Sequence, residues 1–346
     1  MAVTMQQIAD ACGVSRGTVD RALRNREGIR PEVAERVRAK ARQMGYIPKH
    51  TAPIKSTETV HIGVVLHSGT TGFVRLLAQL IHQFPQETLL PVVPIVRIMD
   101  DTNVLHQLAL IEELVENEQI DGLAIMPLAS TQIRDAINQL IETHGIPVVT
   151  LNTDLADCAR MAYVGPDDLA SGRTAAGLLG MTLAQKGCIL PILGQHSGHF
   201  ADTQRWNGFL TEMQDSFPNI EILPPEYCFL DRGLAERITI RAIQNHPQLN
   251  GIYIASSGRE GVFRAVTSLH AQGKIHIVAH DLTPNNIRKI REGVFDFVIG
   301  QDFHTQANLP LRLLYQYITA RQTPAQREYT TDIAIKFRYN LLDSDG

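Results

Sequence analysis

Residues 4–23 read TMQQIADACGVSRGTVDRAL. A threonine followed three residues later by glutamine is a capping box: Thr4 accepts from the helix start and Gln7 reaches back. Ile8, Ala9 and Cys12 then share one face of a short helix, and Gly13 supplies the left-handed residue that ends it. Ser15 is a good N-cap for a second helix, whose Val19, Ala22 and Leu23 face the first. After the polar loop Asn25–Gly28, Pro31 suits the first turn of a third helix running to about Met44 and stopped by Gly45. Glu32 and Glu35 lie early in it and Arg38, Lys40 and Arg42 late, matching its dipole, and Val33, Val37 and Ala41 form its apolar stripe. Two short helices joined through a glycine turn, with a third closing the core, make a helix-turn-helix. Such a unit lays its second helix in the major groove of DNA.

Val19 and Leu23 tie that second helix to the unit, which leaves Arg16, Gly17, Asp20 and Arg21 facing outward. An arginine can reach guanine O6 and N7 with two bonds, worth about 1–3 kcal/mol of base discrimination. Thr18 suits a phosphate contact, and Thr4, Ser15 and Arg24 complete the candidate DNA contacts of the unit. Taken singly, each arginine also fits an ordinary solvated helix face. The charge distribution bears on this choice. The first fifty residues carry ten Lys/Arg and five Asp/Glu, a net of +5, whereas the whole chain is −4 and the remainder therefore −9. A basic head on an acidic body points to a polyanionic partner for the head.

The 346 residues exceed one small core, and an apolar share of 44% with 20% charged is that of an ordinary globular protein. No run approaches the roughly 18 apolar residues of a membrane span. The opening MAVTMQQIADACGVS lacks a basic region followed by an apolar core, so a cytoplasmic location is expected. Cys12, Cys158, Cys188 and Cys228 are too far apart for a CxxC metal clip, and idle thiols are expected. Neither a metal nor a cofactor is expected.

The run IADACGVSRGTVDRALRN, continued by GIRPEVAERVRAKARQMGYIP, resembles the DNA-binding head of the LacI/GalR transcription regulators over Thr4 to Pro48. The resemblance implies that Arg16, Gly17 and Arg21 fall where family members read bases. Asp20 departs from the usual serine; a carboxylate there repels phosphate or accepts from a cytosine amine. Residues 47–60, IPKHTAPIKSTETV, read as a linker. The resemblance implies a hinge helix here, Asn-x-x-Ala-Arg-x-Leu, but only Ala52 matches: Lys49, Pro53 and Lys55 replace the Asn, Arg and Leu. Proline clashes with the preceding helical turn and lysine cannot wedge between base steps, so the expectation is a weak or absent hinge helix with Lys49 and Lys55 on phosphates.

From residue 61 the chain alternates strand and helix. Apolar runs at 61–66, 91–98, 122–128 and 146–151 are followed by a second set at 161–165, 188–194, 220–223, 251–256, 275–281 and 295–301. Continuous apolar strands between helices mean parallel sheets covered on both faces, and two sets imply two doubly wound lobes. The expected fold is thus a small all-α helix-turn-helix followed by a two-lobed α/β body of the periplasmic-binding-protein type I kind. The body over about 60–340 resembles the periplasmic-sugar-binding-protein fold that the same regulators use for sensing. That implies three crossings, near 163, 295 and 322. The expected domains are residues 1–48, a linker 49–60 and a body 61–340, with an N-lobe of about 61–163 plus 296–322 and a C-lobe of about 164–295 plus 323–340.

Ligands in such folds bind outside the carboxyl ends of the strands. The candidates there are Phe73, Asn152, Asp154, Arg205, Ser256, Ser257, Asp281 and Gln301. Carboxylates, amides and an arginine suit paired hydroxyls, and an aromatic ring covers an apolar sugar face. Each also fits a plain helix cap or loop residue; Asp154 and Asp281 in particular also fit simple caps of the helices after their strands. The resemblance supports Arg205, which stands where sugar-binding relatives place an arginine, whereas Ser256–Ser257 replaces their frequent Asn-Asp. His196 and His199 form an HxxH, but Gly194 and Gly198 argue for a loop and no third ligand is evident. Trp206 reads as core.

The expected function is a LacI-type regulator, a repressor, controlled by a small polar effector such as a sugar or polyol. The resemblance implies a homodimer on a pseudo-palindromic operator, and the ending KFRYNLLDSDG lacks the heptads of a tetramerising zipper. Alternatives are sensing of a nucleobase or phosphorylated sugar, an exported binding protein, or a sugar-acting enzyme. The sequence contains no GxxxxGK[ST], no GxGxxG after a strand and no GxSxG, which opposes the last.

Overall fold

The computed structural model describes residues 4–23, 29–44, 59–184, 186–194 and 200–342; Arg24, Lys49, Lys55, His196 and His199, and most of the linker, lie outside them. The head comprises α1 (Met5–Cys12), α2 (Arg16–Leu23) and α3 (Pro31–Gln43). Both bonds of the capping box form: the Gln7 N–H donates to Thr4 Oγ1 at 3.3 Å, and the Thr4 N–H donates to Gln7 Oε1 at 2.8 Å. Gly13 ends α1 at φ +65°, a conformation that a side chain would strain. The Thr18 N–H donates to Ser15 Oγ at 3.1 Å and so caps α2.

Ile8, Ala9, Val19, Ala22, Leu23, Ala34, Val37 and Ala41 form the buried core of the head, with Val33 only half-buried beside it. Arg38 on α3 donates from Nε to the Ala22 carbonyl at 3.0 Å, which ties the end of α2 to α3. This core is small. Ile8 is fully buried, and Ile8→Ala is expected to cost about 2–5 kcal/mol. A unit this short holds little stability in reserve. The expected result is two separated calorimetric transitions in the variant, the head melting early and the body as before.

The first lobe is built from β1 (Val60–Leu66), α4 (Gly72–Thr88), β2 (Val92–Ile98), α5 (Val104–Glu116), β3 (Gly122–Ile125), α6 (Thr131–Gln139), β4 (Val148–Leu151) and β5 (Ala162–Pro166). The second follows with α7 (Asp168–Thr182), β6 (Gly187–Leu193), α8 (Phe200–Ser216), β7 (Ile220–Ile222), β8 (Glu226–Tyr227), α9 (Arg232–Asn245), β9 (Leu249–Ile254), α10 (Arg259–Ser268), β10 (His276–His280), α11 (Pro284–Arg291) and β11 (Phe297–Gln301). The chain closes with α12 (Phe303–Ala320), β12 (Glu328–Thr331) and β13 (Ile333–Lys336). One sheet has the order β12-β5-β4-β3-β1-β2, all parallel; the other has β13-β11-β10-β9-β6-β7, with β8 beside β6 and β13 antiparallel to β11.

The two doubly wound lobes are those expected, but the crossings fall later. Residues 161–165, grouped by sequence with the second set, supply β5 of the first sheet. Residues 297–301, expected in the N-lobe, pair with β10 in the second sheet, and 328–331, expected in the C-lobe, pair with β5 in the first. The chain therefore crosses between Pro166 and Asp168, between Gln301 and Phe303, and between Thr331 and Ile333. The reason is geometric. A parallel strand must run to its carboxyl end before the chain can leave the sheet, so the crossings sit beside the cleft and not at the strand starts.

Each lobe buries a core on either side of its sheet. α4 and α12 cover one face of the first sheet and α5 and α6 the other. In the second lobe α7 and α8 cover one face, and α9, α10 and α11 the other. Trp206 packs half-buried on the α7–α8 side, as expected of a core residue. Among the described residues no helix is long and apolar enough to cross a membrane.

Candidate functional site

Arg16, Gly17 and Arg21 are exposed on α2, and Thr18 and Asp20 are half-exposed, while Val19, Ala22 and Leu23 hold the opposite face in the core. This is the surface expected to read DNA. Arg21 folds back along its own helix, donating from Nε to the Gly17 carbonyl at 3.2 Å. The Ser15 and Thr18 hydroxyls hydrogen-bond each other at 2.9 Å, so Thr18 is held at the helix start.

The second constellation lies between the lobes. A cavity there is lined by Ser68, Thr71, Phe73, Met126 and Asn152 from the first lobe, and by Asp202, Arg205, Leu230, Ser256, Ser257, Arg259 and Asp281 from the second, with Gln301 at a crossing. Seven of the eight candidates from sequence line it. Asp154 does not: its carboxylate is paired with Arg160 through Nε at 2.6 Å and through Nη2, and it accepts from Thr150 Oγ1 at 2.7 Å. It lies two residues past Asn152, and its partner Arg160 also donates to the Arg327 carbonyl at 2.9 Å.

Strand ends set the geometry of the cavity. Ser68, Asn152 and Asp281, which follow β1, β4 and β10, all take the left-handed conformation, at φ 59°, 60° and 69°. Asn and Asp tolerate that region better than most residues, and strained backbone of this kind gathers at binding sites. Phe73 is placed by α4, whose N-cap Thr71 accepts from the Val74 N–H at 3.3 Å; its ring meets Phe303 at 5.1 Å between centroids.

Arg205, on α8, is 4% exposed. It donates from Nε to Asp168 Oδ1 at 2.8 Å and from Nη1 to the Ala255 carbonyl at 2.8 Å. Burial alone lowers its pKa, but the nearby Asp168 and Asp281 carboxylates outweigh it and hold the guanidinium charged. α8 reaches this position because it crosses α7 backbone to backbone. A methyl group on Gly172 would stand 2.0 Å from the Arg205 carbonyl oxygen, and one on Gly208 would stand 2.1 Å from that of Leu169. Gly208→Val is therefore expected to push α8 off α7 and move the guanidinium, lowering both the melting temperature of the body and its affinity for a cleft ligand; isothermal calorimetry beside thermal unfolding reads both.

Arg259 is a cleft residue that sequence reasoning missed. It donates from Nη1 to Asp281 Oδ2 at 3.0 Å, and also to the Ser256 and His280 carbonyls. Gln301 Nε2 donates to the other Asp281 oxygen at 2.7 Å. Gln301 Oε1 in turn accepts from Asn152 Nδ2 at 3.1 Å and from Gln306 Nε2 at 3.2 Å, and Asn152 Nδ2 also donates to Gln306 Oε1 at 3.0 Å. A buried chain of side chains thus runs from α10, through Asp281 and the second crossing, to the end of β4 in the first lobe. Ser257 Oγ lies 3.1 Å from Cys228 Sγ. A methyl on Gly194 would fall 2.4 Å from Ser256 Oγ and 2.8 Å from Ser257 Oγ, so the bare backbone there leaves these hydroxyls room.

His280 lies beneath Asp281, fully buried, with Nε2 3.1 Å from the Tyr253 hydroxyl. Burial, with Arg205 and Arg259 nearby, holds its pKa well below the usual 6.5. The unfolded chain takes up this proton below about pH 6.5 and the folded one does not, so the stability is present above that pH and lost as pH falls. Urea unfolding of the wild type between pH 7 and pH 5 is expected to show a loss of roughly 1 kcal/mol per pH unit from this group, absent in His280→Gln.

Comparison with known proteins yields two family matches. Residues 62–322 match the family described as "Periplasmic binding protein domain", and residues 4–49 match "Bacterial regulatory proteins, lacI family". The HTH-type transcriptional regulator GntR of Pseudomonas aeruginosa is 26% identical over 260 residues, covering 73% of this chain and 71% of that protein. The HTH-type transcriptional regulator MalR of Streptococcus pneumoniae is 24% identical over 267 residues, covering 74% and 77%. Among solved structures, a solute-binding protein of an ABC transporter from Burkholderia graminis, in complex with D-arabinose, superposes with a TM-score of 0.76 at 20% identity, covering 83% of this chain and 98% of that one.

Proposed function

Since this chain belongs to the periplasmic binding protein family over 62–322 and carries the lacI-family head at 4–49, it is a LacI-type transcription regulator and not an enzyme, and we propose that it is a repressor whose grip on operator DNA is set by a sugar or polyol held between its lobes. The observation that carries the reading is the convergence of Phe73, Asn152, Arg205, Ser256, Ser257, Asp281 and Gln301 on one cavity, from six separate places in the chain. Amides, hydroxyls, a carboxylate and an arginine give donors and acceptors for adjacent hydroxyl groups, and Phe73 gives a face for the apolar side of a ring. The cavity encloses about 70 Å³, well above the roughly 10–15 Å³ that a single water requires.

The head binds with Arg16, Gly17 and Arg21 toward base edges, and with Thr4, Ser15 and Thr18 toward phosphates; Arg24, Lys49 and Lys55 are further candidate DNA contacts. Asp20 narrows the choice of base. One head makes too few contacts for a specific site, so the regulator acts as a homodimer on a two-fold operator, in the cytoplasm with the chromosome. Asp281 connects effector to DNA. It lies in the cavity and is also a link of the side-chain chain that crosses to Asn152. A ligand that engages Asp281 differently in open and closed lobes shifts their equilibrium, and with it the spacing of the two heads.

An electrophoretic mobility shift with DNA from upstream of the chain's own gene tests the DNA reading, and native mass spectrometry of freshly purified protein tests the effector reading. A specific shift that a retained small polyol weakens is expected. A shift that the polyol strengthens would make the protein a co-repressed regulator or an activator. Equal binding to random duplex would remove the regulatory reading.

A further inference from the structure

We infer that the Arg259–Asp281 pair determines specificity by charge: it closes the cleft to phosphorylated and carboxylated effectors and admits uncharged ones. The inference rests on the reading of the cleft as an effector site and deepens it. Arginines in a binding cleft ordinarily invite an anion, because the free fork of a guanidinium matches a carboxylate or phosphate. Here each guanidinium is already paired with a carboxylate of the protein. Arg205 gives Nε to Asp168 and Nη1 to the Ala255 carbonyl, and the Asp168 side chain is 1% exposed. Arg259 gives Nη1 to Asp281 and to two carbonyls, with 14% of its side chain exposed and 8% of that of Asp281.

The charges lining the cavity are Asp202, Arg205, Arg259 and Asp281, which sum to zero, and Asp168 directly behind Arg205 makes the described surroundings net negative. Every lining residue from the first lobe is uncharged. An entering phosphate or carboxylate would thus meet no uncompensated cation among the described residues, yet would lose its own hydration against buried carboxylates. A neutral polyol loses only hydroxyl hydration, and regains it from Asn152, Gln301 and the remaining lone pairs of Asp281. The pair also makes Asp281 a better acceptor for such a ligand, since Arg259 and Gln301 each hold one oxygen in place.

Asp281→Asn tests this, because it keeps the size of the side chain and an acceptor for Gln301 while baring the charge of Arg259. The full-length chain, dialysed exhaustively, is titrated in thermal-shift and calorimetric assays. The uncharged probes are D-ribose, D-arabinose, D-glucose, D-galactose and myo-inositol; the anionic ones are D-ribose 5-phosphate, D-glucose 6-phosphate, D-gluconate and D-galacturonate. In the wild type, stabilisation by at least one uncharged probe and by none of the anions is expected. An anion that acts at lower concentration than the uncharged probes overturns the inference. Silence of both sets counts against the polyol reading of the cleft itself, which separates that failure from this one. In Asp281→Asn the ratio of anion to uncharged-probe affinity is expected to rise about tenfold or more, as when one partner of a buried charge pair is removed. A folded variant with the wild-type ratio overturns the role of the pair. Should Asp281→Asn fail to fold, Asp281→Ser bares Arg259 in the same way and carries the same two outcomes.

Discussion

Arg205→Ala is expected to abolish effector binding and to destabilise the body, while operator binding by the effector-free protein persists. The two losses have different origins, and a second variant separates them. Arg205 is buried against Asp168, whose side chain is 1% exposed. Removing the guanidinium leaves that carboxylate without its ion-pair partner in the interior, which costs about 3–5 kcal/mol. It also removes the donor to the Ala255 carbonyl, at the end of β9 where the Ser256–Ser257 hydroxyls begin. The double variant Arg205→Met with Asp168→Asn replaces the pair by a neutral one of similar volume, and buried ion pairs so replaced are often no less stable. We expect its melting temperature to recover most of the loss, and its effector binding to stay absent. Recovery of both would mean that Arg205 only supports the lobe. Full effector response in either variant would remove the cleft from the account.

These residues also show what a sequence can disclose about such a site. The head was legible nearly to the atom, because its signals are local: a capping box at Thr4 and Gln7, a left-handed glycine at 13, a serine cap at 15 and apolar spacing on α2. The alternation that built the lobes was equally plain, since strands buried on both faces are continuous apolar runs. Lobe membership was not. Nothing local to residues 297–301 or 328–331 says which of two sheets they join; register is decided by partners more than 100 residues away for β12, which pairs with β5. The site divided along the same line. Residues at strand carboxyl ends can be named from their place in the pattern, and Phe73, Asn152, Ser256, Ser257, Asp281 and Gln301 all line the cavity. Asp154 shares that position but lies off the cavity, because its partner Arg160 announces itself only in three dimensions. Arg259 was overlooked for the converse reason: it opens α10 two residues beyond the strand-end serines, and reads as a solvated helix start until the fold sets it against Asp281. The one available signal was Gly258, at φ +91°, a turn that carries the next side chain back over the strand end.

Arg21→Ala should have the largest effect on DNA, with no effect on the cleft. Arg21 is exposed on α2, its Nε held to the Gly17 carbonyl at 3.2 Å, and that bond turns the side chain along the helix instead of into solvent. A guanidinium so oriented has lost part of its rotamer freedom before it meets DNA, and its remaining N–H groups form a planar fork suited to guanine O6 and N7. Its loss should cost about 1–3 kcal/mol at the operator and relax preference at one base pair per half-site. In a dimer the cost is paid at both half-sites, so affinity should fall by roughly 30-fold to 10⁴-fold, whereas affinity for random duplex falls far less. Arg16→Ala, at the start of the same helix, provides the contrast: should it contact phosphate instead, it will weaken all sequences alike and reduce the salt dependence of binding. Unchanged operator affinity in Arg21→Ala would show that α2 does not read bases. A uniform loss across sequences would move Arg21 from bases to phosphates, and would leave Arg16 and Asp20 as the residues that select the operator.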